Sequence, residues 1–313
     1  MRTALREAAN AYTAPIREDA RTLLAGLVRR ATRITPERVL RHGRQQFDRA
    51  GKRILRTLTR HPSVSRRPLF ISGSNRSGTQ MVCRAIGHSP HGWDYPEADF
   101  SIAFERYSLR SHAVIERLID FSPAPLVSFG SILDSQFTDA LLDRFENSRA
   151  IWVYRRYEDA TNSSIHSWGD HQKRMMRKVA QGELSWLGPR GLRIADDTVA
   201  RIRSLFSESL SLEACGCLYW YMRNRVFFDL ALDRDPRVIA LQYEDTVLNP
   251  ERSFRSVFRF LGMPYHDEVV SDVFASSVGK HAWPGIPEDV RQLCDELKDS
   301  LDVAHARTLQ GWG

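Results

Sequence analysis

The chain is poor in cysteine and has no long apolar run, and each scarcity excludes a class of protein. Its four cysteines, Cys83, Cys215, Cys217 and Cys294, contain no CxxC pair of the kind that builds a zinc site or a redox couple. No segment has the unbroken apolar length of a signal peptide or membrane-spanning helix, and the best run, Leu23 to Val28, is short and flanked by arginine. Without an export signal, reduced and buried thiols in a cytoplasmic protein are expected. The ten histidines are scattered, with no HExxH and no metal-like cluster, so no metal site is expected.

Charge is present but unevenly placed. Of the net +7, residues 1 to 67 hold +12, from 16 Arg and one Lys against five acids, and the remainder is acidic at −5. The basic character belongs to an N-terminal extension. There Ile16, Ala20, Leu23, Leu24, Leu27, Val28 and Ala31 form an apolar stripe among arginines. Thr35-Pro36 reads as an N-cap followed by proline at the first helical position, with Leu40, Phe47 and Ile54 after it at heptad-like spacing. The expected organisation is a basic amphipathic helical extension over 1–66 and a body over 67–313. Such an arm suits peripheral contact with an anionic membrane or an acidic partner; packing its stripe on the body is the alternative. Nucleic acid is not the expected partner, because the body is acidic and the arm lacks interleaved aromatics.

The body is organised around Pro68 to Ile86, PLFISGSNRSGTQMVCRAI. Pro68 to Ser72 reads as a buried strand, Gly73 to Gly78 as a turn, and Met81, Val82, Ala85 and Ile86 as one helical face. A strand, a glycine-bounded loop and a helix N-terminus make an anion site, because free N–H groups and the positive end of the dipole meet at the loop. The spacing Gly73-x4-Gly78 matches a P-loop, yet Thr79 and Gln80 stand where its Lys and its Mg²⁺-binding hydroxyl belong. Arg76 supplies a permanent cation from inside the loop, which fits a phosphate-like group held electrostatically without metal.

Strand and helix patterns then alternate. Strands are expected at His91 to Tyr95, Pro125 to Phe129, Ala150 to Tyr154 and Val238 to Gln242, with Ala150 to Tyr154 almost continuously apolar. Helical patterns cover Ala98 to Leu109, Ala113 to Phe121, Ser135 to Phe145 and about Leu210 to Leu232, the last apolar on most faces. The expected fold is α/β: a P-loop-like three-layer arrangement with a central, mostly parallel sheet of about five strands covered by helices. The strand at 150–154 runs out into Arg155-Arg156, and YEDATNSSIHSW opens a helix beyond it. Asn249 and Pro250 read as the cap and first residue of another helix, whose buried face is Phe254, Val257, Phe258 and Leu261.

Three of these stretches resemble the PAPS-dependent sulfotransferases, from about Pro68 to Trp283 and in the family's order. Phe-Ile-Ser-Gly with Arg76-Ser77-Gly78-Thr79 is similar to the 5′-phosphosulfate loop, of the Arg type found in tyrosylprotein-like members. Arg155, Asp159 and Ser163 match the second signature, in which an Arg, an Asp four residues on and a Ser eight residues on serve the 3′-phosphate. Tyr243-Glu244-Asp245 and the capped helix resemble a late element that ends in Phe-Leu-Gly-x-Pro. The resemblance implies binding of PAPS, and of its product PAP, through Asn75, Arg76, Ser77, Gly78, Thr79, Gln80, Arg155, Ser163, Tyr243 and Lys280. Tyr243 also reads as a core tyrosine.

The same resemblance implies sulfuryl transfer to a hydroxyl or amine acceptor. Glu97, 21 residues past Arg76 and just beyond a strand end, takes the place of the acceptor's base, with Asp94, His91 and His112 in reserve. Arg76 stabilises the leaving group. Departures lie on the acceptor side: Ser128-Phe129 stands where many relatives have a Lys, Gln80 replaces the loop's second hydroxyl, and the histidine base of the cytosolic type has no counterpart. The alternatives are a P-loop-like kinase, and a catalytically degenerate PAP-binding module recruited by its arm. Acceptor identity and oligomeric state are not legible.

Overall fold

The structure, a computed structural model, describes residues 65–275, 279, 283 and 285–312. The expected extension therefore lies outside the described residues, apart from Ser65 and Arg66.

Strand β1 (Arg67–Gly73) leads into helix α1 (Thr79–His88) and strand β2 (Gly92–Tyr95). A small hairpin, β3 (Phe104–Glu105) and β4 (Ser108–Leu109), precedes α2 (His112–Asp120) and β5 (Leu126–Gly130). A 3-10 turn at Ser135–Phe137 enters α3 (Thr138–Arg144), which is followed by β6 (Arg149–Tyr154). Four helices come next: α4 (Tyr157–Trp168), α5 (His171–Ala180), α6 (Asp196–Leu205) and α7 (Leu212–Asp229). Strand β7 (Val238–Gln242), α8 (Tyr243–Leu248), α9 (Pro250–Phe260) and α10 (Glu288–Trp312) complete the described body.

The main sheet has the order β2-β5-β1-β6-β7, and every pair in it is parallel. Both faces are covered, as the near-continuous apolar strands require. On one face Leu69, Ile71, Leu126, Ile151, Val153, Ile239 and Leu241 pack with Val82 and Ile86 of α1 and with Phe254, Val257 and Phe258 of α9. On the other, Phe70, Val127 and Phe129 pack with Ile115 and Leu141, while Trp152, Tyr154 and Ala240 pack against α7 and α10. The alternation along each strand produces the three layers, and each fully buried aliphatic side chain contributes about 1.5–3 kcal/mol.

Helix α7 is buried on most sides, as its apolar composition implies. Among the described residues no helix is long and apolar enough to cross a membrane. Helix α10 lies across α7 and β7. It places Val290, Cys294, Leu297 and Leu301 in the core, accepts the Tyr154 hydroxyl at Asp302 Oδ1 over 2.7 Å, and brings His305 Nε2 within 3.0 Å of Asp245.

Two local expectations are corrected. Residues 98–109 form no helix; Phe104 and Leu109 pair across the hairpin, and Arg106 and Tyr107 turn it with φ of 50° and 65°. Asn249 does precede Pro250 at the start of α9, but its amide donates to Asp245 Oδ1 over 2.8 Å and caps nothing.

Candidate active site

All five parallel strands present their carboxyl ends to one edge, where ligands of open α/β sheets bind. At that edge β1 ends at Gly73, the chain turns through Ser74–Gly78, and α1 begins. Gly73 has φ 142°, and a Cβ there would lie 2.1 Å from the Val153 carbonyl oxygen. Gly78 has φ 89°, and a Cβ there would lie 2.2 Å from Tyr243 Cδ2. Both glycines are therefore dictated by contact as well as by dihedral. Between them Arg76 adopts φ 65°, the left-handed conformation found in turns whose successive backbone amides can converge on an anion. Ser77 is fully buried in this loop and its Oγ has no hydrogen-bond partner. An orphaned hydroxyl in an amide-lined turn at a helix N-terminus suits a phosphate oxygen.

The neighbouring strand end supplies more cations. Arg155, at the exit of β6, lies over the Tyr243 ring at 4.7 Å and within 3.7 Å of both Asp159 and Glu244. Its Nη1 reaches the Arg76 carbonyl at 3.5 Å. Arg76 Nε in turn donates to Ser163 Oγ over 2.8 Å, and its guanidinium stands 5.8 Å from the Trp168 ring. Burial and the nearby Arg155 charge both lower the proton affinity of Arg76. Two arginines this close favour an anion between them. Gly279 N–H donates to Asp159 Oδ2 over 3.3 Å, which draws that part of the chain toward the Arg155 end.

On the other side of the loop stands Glu97. Its Oε1 accepts from the Leu133 N–H over 2.7 Å, Oε2 makes no hydrogen bond among the described residues, and its backbone carbonyl accepts from Gln80 Nε2 over 3.1 Å. Burial pushes its carboxyl up to about 7, with Asp134 raising it further and the Leu133 amide, Arg223 and Arg190 opposing. A carboxylate poised near neutrality with one free oxygen can accept a proton. Asn75 Oδ1 accepts from the Tyr219 hydroxyl over 2.9 Å, which ties the loop to α7.

A family profile described as "Sulfotransferase domain" matches residues 66–279, more than half of the chain. The chain belongs to the sulfotransferase family. Solved structures similar to this sulfotransferase include a sulfotransferase from Alicyclobacillus acidocaldarius, 17% identical, covering 80% of this chain and 99% of that one with a TM-score of 0.45. Sulfotransferase STF9 from Mycobacterium avium is 15% identical, with 95% of each chain covered and a TM-score of 0.41. Mouse sulfotransferase SULT7A1 complexed with PAP is 14% identical, covering 79% of this chain and 89% of that one with a TM-score of 0.39. No curated protein matches this chain.

In this sulfotransferase the residues expected at the site fall into two linked groups. Arg76, Arg155, Ser163 and Tyr243 stand together, and Gln80 and Glu97 touch each other. Lys280 lies outside the described residues. The reserve bases are engaged elsewhere: Asp94 packs against Gly87, His91 faces His266 at 5.2 Å, and His112 lies edge-on to Phe145 at 5.7 Å. Sequence reasoning missed Tyr219, Asp134, Arg190 and Arg223, which surround Glu97. The available signal was Arg223, a charge that directly follows the apolar run Cys215 to Met222 in α7.

Proposed function

We propose that this sulfotransferase moves a sulfuryl group from PAPS to a hydroxyl or amine acceptor and releases PAP. The observation that carries the donor side is the buried, unpartnered Ser77 hydroxyl within the left-handed turn at the N-terminus of α1. The loop amides, Ser77, Thr79 and Arg76 would hold the 5′-phosphosulfate. Arg155 and Ser163 would hold the 3′-phosphate, Tyr243 would pack at the adenine or phosphate end, and Asn75 and Gln80 would fix the loop.

In the reaction Glu97 Oε2 takes the proton of the acceptor while Leu133 N–H keeps Oε1 in place. The acceptor oxygen or nitrogen forms the new bond to sulfur in line, and the bond from sulfur to the 5′-phosphate oxygen breaks, leaving its electron pair on PAP. Arg76 and the loop amides stabilise the charge gathering on that oxygen, a term worth about 3–4 kcal/mol for one well-placed donor. Arg76 cannot donate a proton near neutrality, so its contribution is electrostatic.

A cytoplasmic setting is part of this reading, supported by four buried free thiols. So is recruitment of the basic N-terminal arm to an anionic surface. Deletion of residues 1–64 should abolish binding to anionic vesicles at low salt and spare PAP affinity; equal vesicle binding by both forms would refute recruitment.

The deciding experiment measures PAP binding by calorimetry, then turnover of PAPS over a panel of phenols, alcohols and amines. Glu97→Gln should retain PAP affinity and lose about 10²–10⁴ in turnover. Near-normal turnover would remove Glu97 from the role. Tight PAP binding with no turnover on any acceptor would favour a degenerate binding module.

A further inference from the structure

Arg223 is a buried cation that the proposed chemistry does not use. It sits in the middle of α7 with 4% of its surface exposed, and no carboxylate lies within ion-pairing distance of it among the described residues. Its guanidinium instead reaches three points on two other segments. Nη2 donates to the Ile132 carbonyl over 2.5 Å and to the Gly73 carbonyl over 3.4 Å, and Nη1 donates to Gln136 Oε1 over 2.7 Å. Nε is buried without a partner. A desolvated charge with no carboxylate in direct contact is costly to the fold, and Glu97 and Asp134 offset that cost only through space.

The places it reaches account for it. Gly73 opens the phosphate-type loop, and Ile132 immediately precedes Leu133, whose N–H fixes Glu97 Oε1. The strand exit beneath, Ser128-Phe129-Gly130, carries no cation. One planar fork can hold two carbonyls and a side-chain amide at fixed mutual angles, which a lysine ammonium cannot. We propose that Arg223 is a positioning residue whose guanidinium locks the donor loop to the turn that orients Glu97, so that leaving-group site and base are set by one side chain. This rests on the reading of Glu97 as the base.

The same charge acts through space. Glu97 is faced by Arg223 and Tyr219 from α7, by Arg190 from the segment before α6, by Asp134 and the Leu133 amide from the turn after β5, and by Gln80 from α1. Arg223 favours the ionised carboxylate, Asp134 disfavours it, and Arg190 is held by Asp134 at 3.1 Å. Removing Arg223 therefore leaves Glu97 harder to ionise.

Two variants separate charge from geometry. The protonated carboxyl band of Glu97, assigned by its disappearance in Glu97→Gln, is titrated by infrared difference spectroscopy in the full-length protein. In Arg223→Gln the midpoint should move up by about one pH unit. In Arg223→Lys it should stay near wild type, while turnover of PAPS falls by about 10- to 100-fold because the fork is lost. An unmoved midpoint in folded Arg223→Gln would overturn the electrostatic half, and wild-type turnover in Arg223→Lys would overturn the positioning half. Should Arg223→Gln not fold, Arg223→Lys still decides the positioning. Failure of the underlying reading shows separately, as undiminished turnover in Glu97→Gln, an outcome independent of whether the infrared midpoint moves in Arg223→Gln.

Discussion

Glu97 should make the folded protein less stable as the pH rises, and its replacement should remove that dependence. Burial raises its carboxyl from 4.5 to about 7. Below 4.5 the group is protonated in the folded and unfolded chains alike and contributes nothing. Between 4.5 and 7 the unfolded chain releases the proton while the folded one retains it, so the folded state loses ground as pH rises. Above 7 the full penalty applies; at about 1.4 kcal/mol for each pH unit it is worth about 3 kcal/mol. Glu97→Gln keeps an oxygen for the Leu133 amide and removes the titration. The difference in unfolding free energy, mutant minus wild type, should therefore grow by about 3 kcal/mol between pH 4.5 and pH 8. Urea unfolding followed by tryptophan fluorescence at several pH values measures it. Any fixed offset from packing the amide shifts every point equally, so the slope is the signal. A difference that stays constant with pH would refute the environment assigned to Glu97. The same carboxyl should set the acid limb of kcat/KM, which rises with pH and levels off above about 7.

Gly78→Ala should cost about 2–5 kcal/mol, combining left-handed strain of about 1–2 kcal/mol per residue with overpacking of about 1–3 against the Tyr243 ring; urea denaturation checks it, and a loss below 0.5 kcal/mol would contradict the contact. Arg155→Ala should weaken PAP by about 1.5–3 kcal/mol for each charge-assisted hydrogen bond lost, and Ser163→Ala by less. Neither should affect a ligand without the 3′-phosphate. Calorimetry with both ligands decides, and equal losses for the two would assign these residues to the fold.

The interior strands were legible because they are buried on both faces and read as short apolar runs between turn residues, as Ala150 to Tyr154 does; the edge strand β2 (Gly92–Tyr95) is only half-buried and gave a weaker signal. The loop was legible because Gly73 and Gly78 are local signals whose spacing matters. Residues 98–109 misled because Ile102, Ala103, Phe104 and Leu109 supply apolar residues that pass for a helical face. Ala103, Phe104 and Leu109 are in fact buried by a hairpin folded onto Phe70 and Phe129, a contact with distant strands, and Ile102 is exposed. The surroundings of Glu97 were illegible for the same reason. Arg223 meets carbonyls 91 and 150 residues away in sequence, and no local pattern encodes that meeting. Asn249 shows the converse, since its capping position was right and its side chain was claimed by Asp245 of the preceding helix.

Helix α10 lies after the last residue matched by the family profile, yet it supplies Cys294, Leu297 and Leu301 to the larger core and clips Tyr154 and Asp245 from outside. Without α10 the flank of α7 and the exit of β6 would stand uncovered, with the Arg155 end of the site built on that strand. A segment that no site signature marks therefore acts as a clamp on the strand that carries the site. Removing α10 should loosen the whole body and not only its own surface.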